Sequence, residues 1–224
     1  MKKLIATDYD GTLRINGQIS AYDREKIQEF RAAGNYFGIV TGRGSDFFDT
    51  VKKEGIDVDY LIVYTGALIA DARGNILFEA PIPHENFTRL AAFFAGRTDV
   101  TWYDEAHDDK KHYQYYATCE DQKTALKAAA EAEKEFGGLF EYFVNGEHIN
   151  ICSKGISKAS GIREILKYYG LPESAAAPVG DDYNDLRMIT ELNGWAVSSG
   201  RPAVVAQANN VCDSVGHLAA LLMK

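Results

Sequence analysis

Cysteine is scarce in this chain of 224 residues: Cys119, Cys152 and Cys212 are far apart, odd in number and form no Cys-x-x-Cys pair. That pattern argues against a disulfide framework and for reduced, buried thiols in a cytoplasmic protein. Positive charge is also short. Lys and Arg number 24 against 32 Asp and Glu, a formal net charge of −8, and no basic run appears. A nucleic-acid partner is disfavoured, because that affinity rests on neutralising phosphates with Lys and Arg. A small anionic substrate stays open if a cation supplies local positive charge. No apolar run approaches the roughly 20 residues a membrane span needs, so no membrane partner is expected. Met1-Lys2-Lys3 starts like an export signal, but Asp8 and Asp10 follow at once, and no export signal is expected. Internal repeats and low-complexity segments are absent as well.

Hydrophobic residues make up 46% of the chain, enough for a core in one large domain or one domain with an insertion. Its first stretch is the most informative. Leu4, Ile5 and Ala6 suit a strand covered on both faces, and that strand runs into Asp8-Tyr9-Asp10-Gly11-Thr12-Leu13. Gly11 lets the chain turn away. Asp8 and Asp10 thus sit where open α/β sheets place their ligands. Two acids one residue apart repel unless something cationic sits between them, and a divalent metal held by oxygen ligands answers that need.

Strands and helices then alternate. Ser20-Ala21-Tyr22-Asp23 reads as a helix start, and Gly34 as its stop. Asn35–Val40 reads as a strand ending at Thr41-Gly42-Arg43-Gly44, Ser45 as the cap of the next helix, and Tyr60–Tyr64 as a third strand closed by Thr65-Gly66. This rhythm predicts an α/β, doubly wound parallel sheet. Near residue 71 it breaks. Residues 76–80 read as a strand, and beyond it the order is αββαββ, with Asn145-Gly146 as a hairpin signal. We expect residues 71–152 to be an inserted α+β cap, an antiparallel sheet with helices on one face, joined through Gly66-Ala67 and residues 153–157. Residues 1–70 and 153–224 would form the core. The second part resumes the α/β rhythm, with Lys158 opening a helix and residues 176–179 delivering Gly180-Asp181-Asp182-Tyr183-Asn184-Asp185.

Three strand ends therefore carry small, polar or acidic residues and converge on one crevice. Carboxylates at Asp8, Asp181 and Asp185 suit Mg²⁺. The Thr41 hydroxyl and the N–H groups around Gly11 and Gly42 can face an anion. Lys158 supplies a point charge. An ionised Asp can attack phosphorus without first losing a proton.

Taken together, Asp8-Tyr9-Asp10-Gly11-Thr12-Leu13, Thr41-Gly42-Arg43, Lys158 after Gly155-Ile156-Ser157, and Gly180–Asp185 resemble the four motifs of the haloacid dehalogenase superfamily. The match spans nearly the whole chain and is to the Cof-type branch, whose C2-type cap follows the third core strand. The resemblance implies a Rossmann-like core and a phosphatase. Asp8 would be the nucleophile and Asp10 the general acid/base. Thr41 would bind the phosphoryl group and Lys158 steady it, with Gly11, Gly42, Arg43 and Asn184 also on the phosphate side. Asp8, the carbonyl of Asp10, Asp181 and Asp185 would surround Mg²⁺. Two departures stand out: Thr65-Gly66-Ala67 replaces a frequent Asn-Gly-Ala, and the cap is short.

Other candidates have plainer readings. Asp182 reads as a solvated loop acid, Lys154 as a hinge residue, and His107, His112 and His148 as surface or core histidines. The run Asp104–Asp109 reads as a turn. The expected enzyme is a Mg²⁺-dependent phosphomonoesterase acting on a small phosphorylated metabolite, such as a sugar phosphate, as a monomer or homodimer. A phosphomutase and a non-catalytic phosphate-responsive module are the alternatives. The hairpins near Glu105–Lys111 and Asn145–His148 are the expected cap contact loops.

Overall fold

The computed structural model describes residues 1–105 and 111–224. His107 and most of the expected contact loop at 105–111 lie outside them.

The first half of the core runs β1 (Leu4–Thr7), α1 (Ala21–Ala32), β2 (Tyr36–Val40), α2 (Phe47–Lys53), β3 (Tyr60–Val63), β4 (Leu68–Asp71) and β5 (Ile76–Glu79). The insertion follows as α3 (His84–Ala95), β6 (Val100–Tyr103), β7 (Tyr115–Cys119), α4 (Gln122–Phe136), β8 (Phe140–Asn145) and β9 (His148–Ser153). The core then returns with α5 (Lys158–Tyr168), β10 (Ala176–Gly180), α6 (Leu186–Glu191), β11 (Trp195–Val197), α7 (Pro202–Val205), β12 (Asn210–Cys212) and α8 (Val215–Leu222).

The large sheet has eight strands in the order β12-β11-β10-β1-β2-β3-β4-β5. From β12 to β3 the pairing is parallel; β4 and β5 extend it antiparallel. Strand β1 lies centrally because both of its faces are apolar. Ile5 packs with Ile27, Phe30 and Leu218 under α1 and α8, while Leu4 and Ala6 pack with Ile162, Ile165 and Met188 under α5 and α6. All four of its residues are buried, as a parallel strand covered on both faces requires.

Residues 76–80 were expected in the insertion. Instead β5 pairs with β4 through Leu68–Glu79 and Ile69–Phe78 and closes the large sheet. A tight turn held by Asp71 carboxylate bonds to the N–H groups of Arg73 and Asn75 explains it: the hairpin prolongs the sheet rather than leaving it. The chain therefore crosses into the insertion at residues 80–83, beyond Gly66-Ala67. The cap of α2 also differs. Its N-cap is Asp46, which makes no side-chain capping bond, and the Ser45 hydroxyl pairs with the Tyr64 hydroxyl.

The second sheet is antiparallel, in the order β6-β7-β9-β8. Its β8–β9 hairpin pairs Asn145 with His148 and turns at Gly146. Alternate residues Tyr115, Ala117, Ile149 and Ile151 pack beneath Phe87, Leu90 and Phe94 of α3 and the alanines of α4. The other face of this sheet looks across a cleft at the carboxyl ends of the core strands.

Candidate active site

The cleft has a volume of about 1470 Å³ and is lined by both sheets: Asp8, Asp10, Thr41 and Asn184 from the core, Trp102, Tyr116 and Asn150 from the insertion. Its floor follows from strand β1. The Asp8 N–H still bonds to the Val179 carbonyl at 2.8 Å, so the carboxylate is delivered at the last sheet position, almost wholly buried.

Lys158 lies between two carboxylates. Its Nζ is 2.6 Å from an oxygen of Asp8 and 2.6 Å from one of Asp185. It opens α5 behind the Ser157–Ser160 capping box, which fixes its position. Lys154, read from the sequence as a hinge residue, pairs with Glu141 at 3.2 Å and takes no part. The second oxygen of Asp185 accepts from the N–H groups of Asp181 and Asp182 at 3.0 and 3.2 Å. Asp185 is thus bonded through both oxygens and holds the 181–185 loop.

Asp8, Asp181 and Asp185 each place a carboxylate oxygen within 4.8 Å of the others. Asp181 is steadied by the Thr12 hydroxyl at 2.6 Å, a bond the sequence reading did not anticipate. Gly11 matters here for space. It has φ +87°, and a Cβ there would run into the Asp181 carboxylate. Burial pushes the Asp8 carboxyl up to about 8; Lys158 opposes the rise, and Asp185 and Asp181 add to it. Burial likewise lifts Asp181 to about 6, against the Thr12 hydrogen bond. For Lys158, burial alone favours the neutral amine, but Asp185 and Asp8 reverse this and hold the charge. One ammonium therefore serves three crowded acids, and an oxygen-seeking divalent cation fits this donor set. A buried Asn184 Oδ1 without a hydrogen-bond partner also borders the cleft.

Asp10 does not share the environment of Asp8. The chain turns at Tyr9, and the Asp10 side chain is half exposed and clamped by Arg43 through bonds of 2.7 and 2.8 Å. It adds no carboxylate to the three-acid cluster. Arg43 in turn lies over the rings of Tyr9 and Phe47 at 5.4 and 5.7 Å. Asp8 and Asp10 both line the cleft all the same. Thr41 is buried, and its hydroxyl accepts from the Arg43 N–H at 3.2 Å.

Asp182 caps the turn at Tyr183–Asp185 and pairs with Arg201 at 2.5 Å, so it is structural rather than merely solvated. His112 and His148 both border the cleft; His112 stacks on Phe87 at 3.6 Å. Gln114, which sequence reasoning passed over, bridges the two sheets. Its amide donates to the Gly42 carbonyl at 3.2 Å and to Asn150 at 2.7 Å, and its oxygen accepts from Thr65 at 2.7 Å.

Comparison with known proteins agrees with this geometry. A sequence model of the haloacid dehalogenase-like hydrolase family matches residues 5–108 and 97–220. A Streptococcus pyogenes protein, whose name joins a phosphatase to a peptidyl-prolyl cis-trans isomerase, is 26% identical over 234 residues. That match takes in 88% of this chain but only 47% of the relative's length. An HMP-PP phosphatase of Yersinia pestis is 22% identical, with 86% of this chain and 82% of that protein aligned. Among solved structures, the subclass IIB sugar phosphatase BT4131 superposes with a TM-score of 0.80 at 19% identity, covering 99% of this chain and 98% of that one. With the motifs, the sheet order and the inserted cap all in place, the chain belongs to the haloacid dehalogenase-like hydrolases.

Proposed function

We propose that this protein is a Mg²⁺-dependent phosphomonoesterase that hydrolyses a small phosphorylated metabolite through an aspartyl-phosphate. The observation that carries it is the buried Asp8 carboxylate, held by Lys158 inside a cluster of three acids at the end of the central strand. Asp8, Asp181 and the Asp10 carbonyl would hold the metal. Asp185 reaches it only by giving up one of its present bonds. When bound, Mg²⁺ neutralises charge on the phosphoryl oxygens and lets the anionic substrate approach the acids.

The rest is done by the chain. An Asp8 oxygen attacks phosphorus, and the bond from phosphorus to the ester oxygen breaks with its electron pair. Asp10, in its acid form, gives that oxygen a proton, and the alcohol leaves. The Asp10 carboxylate then takes a proton from water as the water oxygen attacks the phosphoryl group, returning free Asp8 and phosphate. To do this Asp10 must leave Arg43, so that ion pair is a resting position. Lys158 orients Asp8, and Thr41 with the N–H groups of its loop receives the phosphoryl oxygens.

A net charge of −8 supports a small-molecule substrate over nucleic acid, and no helix among the described residues is long and apolar enough to cross a membrane. Three free, buried cysteines support a cytoplasmic setting, with the protein acting as a monomer or homodimer. Phosphate release from a panel of monoesters, with and without Mg²⁺, tests the proposal. Acid quench should trap covalent phosphate on Asp8. Release that persists in full under chelation, or phosphate trapped on another residue, refutes it.

A further inference from the structure

We infer that the open face of the cap sheet binds the leaving group of the substrate, and that this group carries a planar, uncharged aromatic ring on a single phosphate. The inference rests on the phosphatase reading above.

The strand pairing gives the cap sheet two unlike faces. Tyr115, Ala117, Ile149 and Ile151 are buried under the helices, so Tyr116, Thr118, His148 and Asn150 take the alternate side, over the cleft. Trp102, paired with Thr118, joins them and is 52% exposed. Its ring lies 5.6 Å from that of Tyr116, which lies 5.4 Å from that of His148. Three neighbouring strands thus present a continuous row of rings to the cleft. Among the described residues, no other tryptophan is exposed in this way; Trp195 packs against the core.

The polar groups beside this row are largely committed to one another. Gln114 is bonded to Asn150, Gly42 and Thr65, and Thr118 pairs with His148 at 3.2 Å. A polyol needs several uncommitted donors and acceptors; this roof offers ring faces instead. Charge narrows the ligand further. The described cations of the cleft wall, Arg43 and Lys111, are paired with Asp10 and Glu79. Asp46, Asp104, Glu105 and Asp182 also border the cleft. Among the described residues acids outnumber these two cations along the wall, so a second phosphate would meet net negative charge there. A neutral ring avoids that repulsion and covers the exposed indole.

The test compares benzyl phosphate, cyclohexylmethyl phosphate, glucose 6-phosphate and glucose 1,6-bisphosphate. Benzyl phosphate should exceed cyclohexylmethyl phosphate in kcat/KM by at least about fivefold, the low end of what base–aromatic stacking yields. Glucose 6-phosphate should rank below both, and the bisphosphate last. Trp102→Ala should bring the benzyl-to-cyclohexylmethyl ratio close to unity, chiefly through KM, and Trp102→Phe should restore most of it. A wild-type ratio near unity, a ratio unmoved by Trp102→Ala, or a preference for either glucose ester overturns the inference. If no ester is turned over, the phosphatase reading itself falls. Ring preference is then read by calorimetry with benzylphosphonate and cyclohexylmethylphosphonate, and equal affinities overturn it.

Discussion

The two sheets that face each other across the cleft use their polar groups in opposite ways. The core sheet is covered on both faces, and its charges lie inside: Asp8, Lys158 and Asp185 are all buried. The cap sheet is covered on one face, and what it offers the cleft is mostly ring surface and amides bonded to each other. A charge buried in the double-sided core is held by partners that cannot move cheaply, so chemistry can be fixed there to within a hydrogen bond. A one-sided sheet leaves a face whose side chains can change without unpacking anything, which suits selectivity.

The largest test of that contrast is at Asp8. Asp8→Asn removes the nucleophile and should cut turnover on the order of 10⁴-fold or more, while the fold persists. Lys158→Ala should be worse for stability, because it leaves two buried carboxylates without their shared cation; a loss of roughly 3–5 kcal/mol is expected in denaturant melts. Wild-type phosphate release from Asp8→Asn, or an unshifted melt for Lys158→Ala, would break the claim that the floor is fixed by its charges.

Asp10 stands between the two regimes, on the core loop but half exposed. Asp10→Asn should slow alkyl phosphates by about 10²–10⁴-fold, the usual range for a lost general acid. p-Nitrophenyl phosphate needs no proton on its leaving oxygen, so its first step should suffer less and covalent phosphate should accumulate. Rapid quench reads this directly. Equal first-step losses without accumulation would assign Asp10 to the metal site alone. Arg43→Ala, freeing the acid from its clamp, should change the rate of alkyl ester turnover; an unchanged rate would mean the clamp is idle.

How much of this the sequence disclosed follows the same divide. β1 to β3 are legible because a strand buried on both faces reads as an unbroken apolar run, and Asp8, Lys158 and Asp181 follow from their strand or helix ends. The αββαββ order of the cap was legible too. Alternation cannot say which face of a sheet meets another domain, so Trp102 and Tyr116 drew no attention. Gln114 was hidden for a related reason: its partners Asn150, Thr65 and Gly42 are 36, 49 and 72 residues away. β5 was misassigned because a change of rhythm looks alike whether the chain leaves a sheet or extends it antiparallel. The Asp10–Arg43 pair depends on a turn at Tyr9 that an extended reading of the motif misses.

Titration offers a smaller test of the floor. Asp8 and Asp181 are raised to about 8 and about 6 from the usual 3.8. Their protonated forms therefore support the metal-free fold. That support is full below about pH 4 and is lost as pH climbs through the two raised values. A cation requires the carboxylates, so its binding should expel protons and strengthen with pH, by at most about tenfold per unit for each proton. Calorimetry in buffers of different ionisation heat measures the protons released. A Mg²⁺-induced rise in Tm that stays flat from about pH 5 to pH 8 would show that the acids are already ionised.

The smallest predicted effect lies where the two sheets touch. Thr65 is buried and holds φ +58°, next to Tyr64 at +51°, a backbone region that non-glycine residues occupy at a cost. Its hydroxyl donates to Gln114, and the Gln114 amide reaches the Gly42 carbonyl beside Thr41. Gln114 thus ties the cap sheet to the Thr41–Gly42 loop, the expected phosphate-binding loop. Gln114→Ala should raise KM several-fold with little change in kcat, since a neutral hydrogen bond contributes about 0.5–1.5 kcal/mol. Thr65→Val should do part of the same. If both act through one bond, the double variant should be no worse than Gln114→Ala alone, a coupling of about 1 kcal/mol in a double-mutant cycle on kcat/KM. Strict additivity would separate the two residues and leave the strained turn at Thr65 without a role in holding that loop.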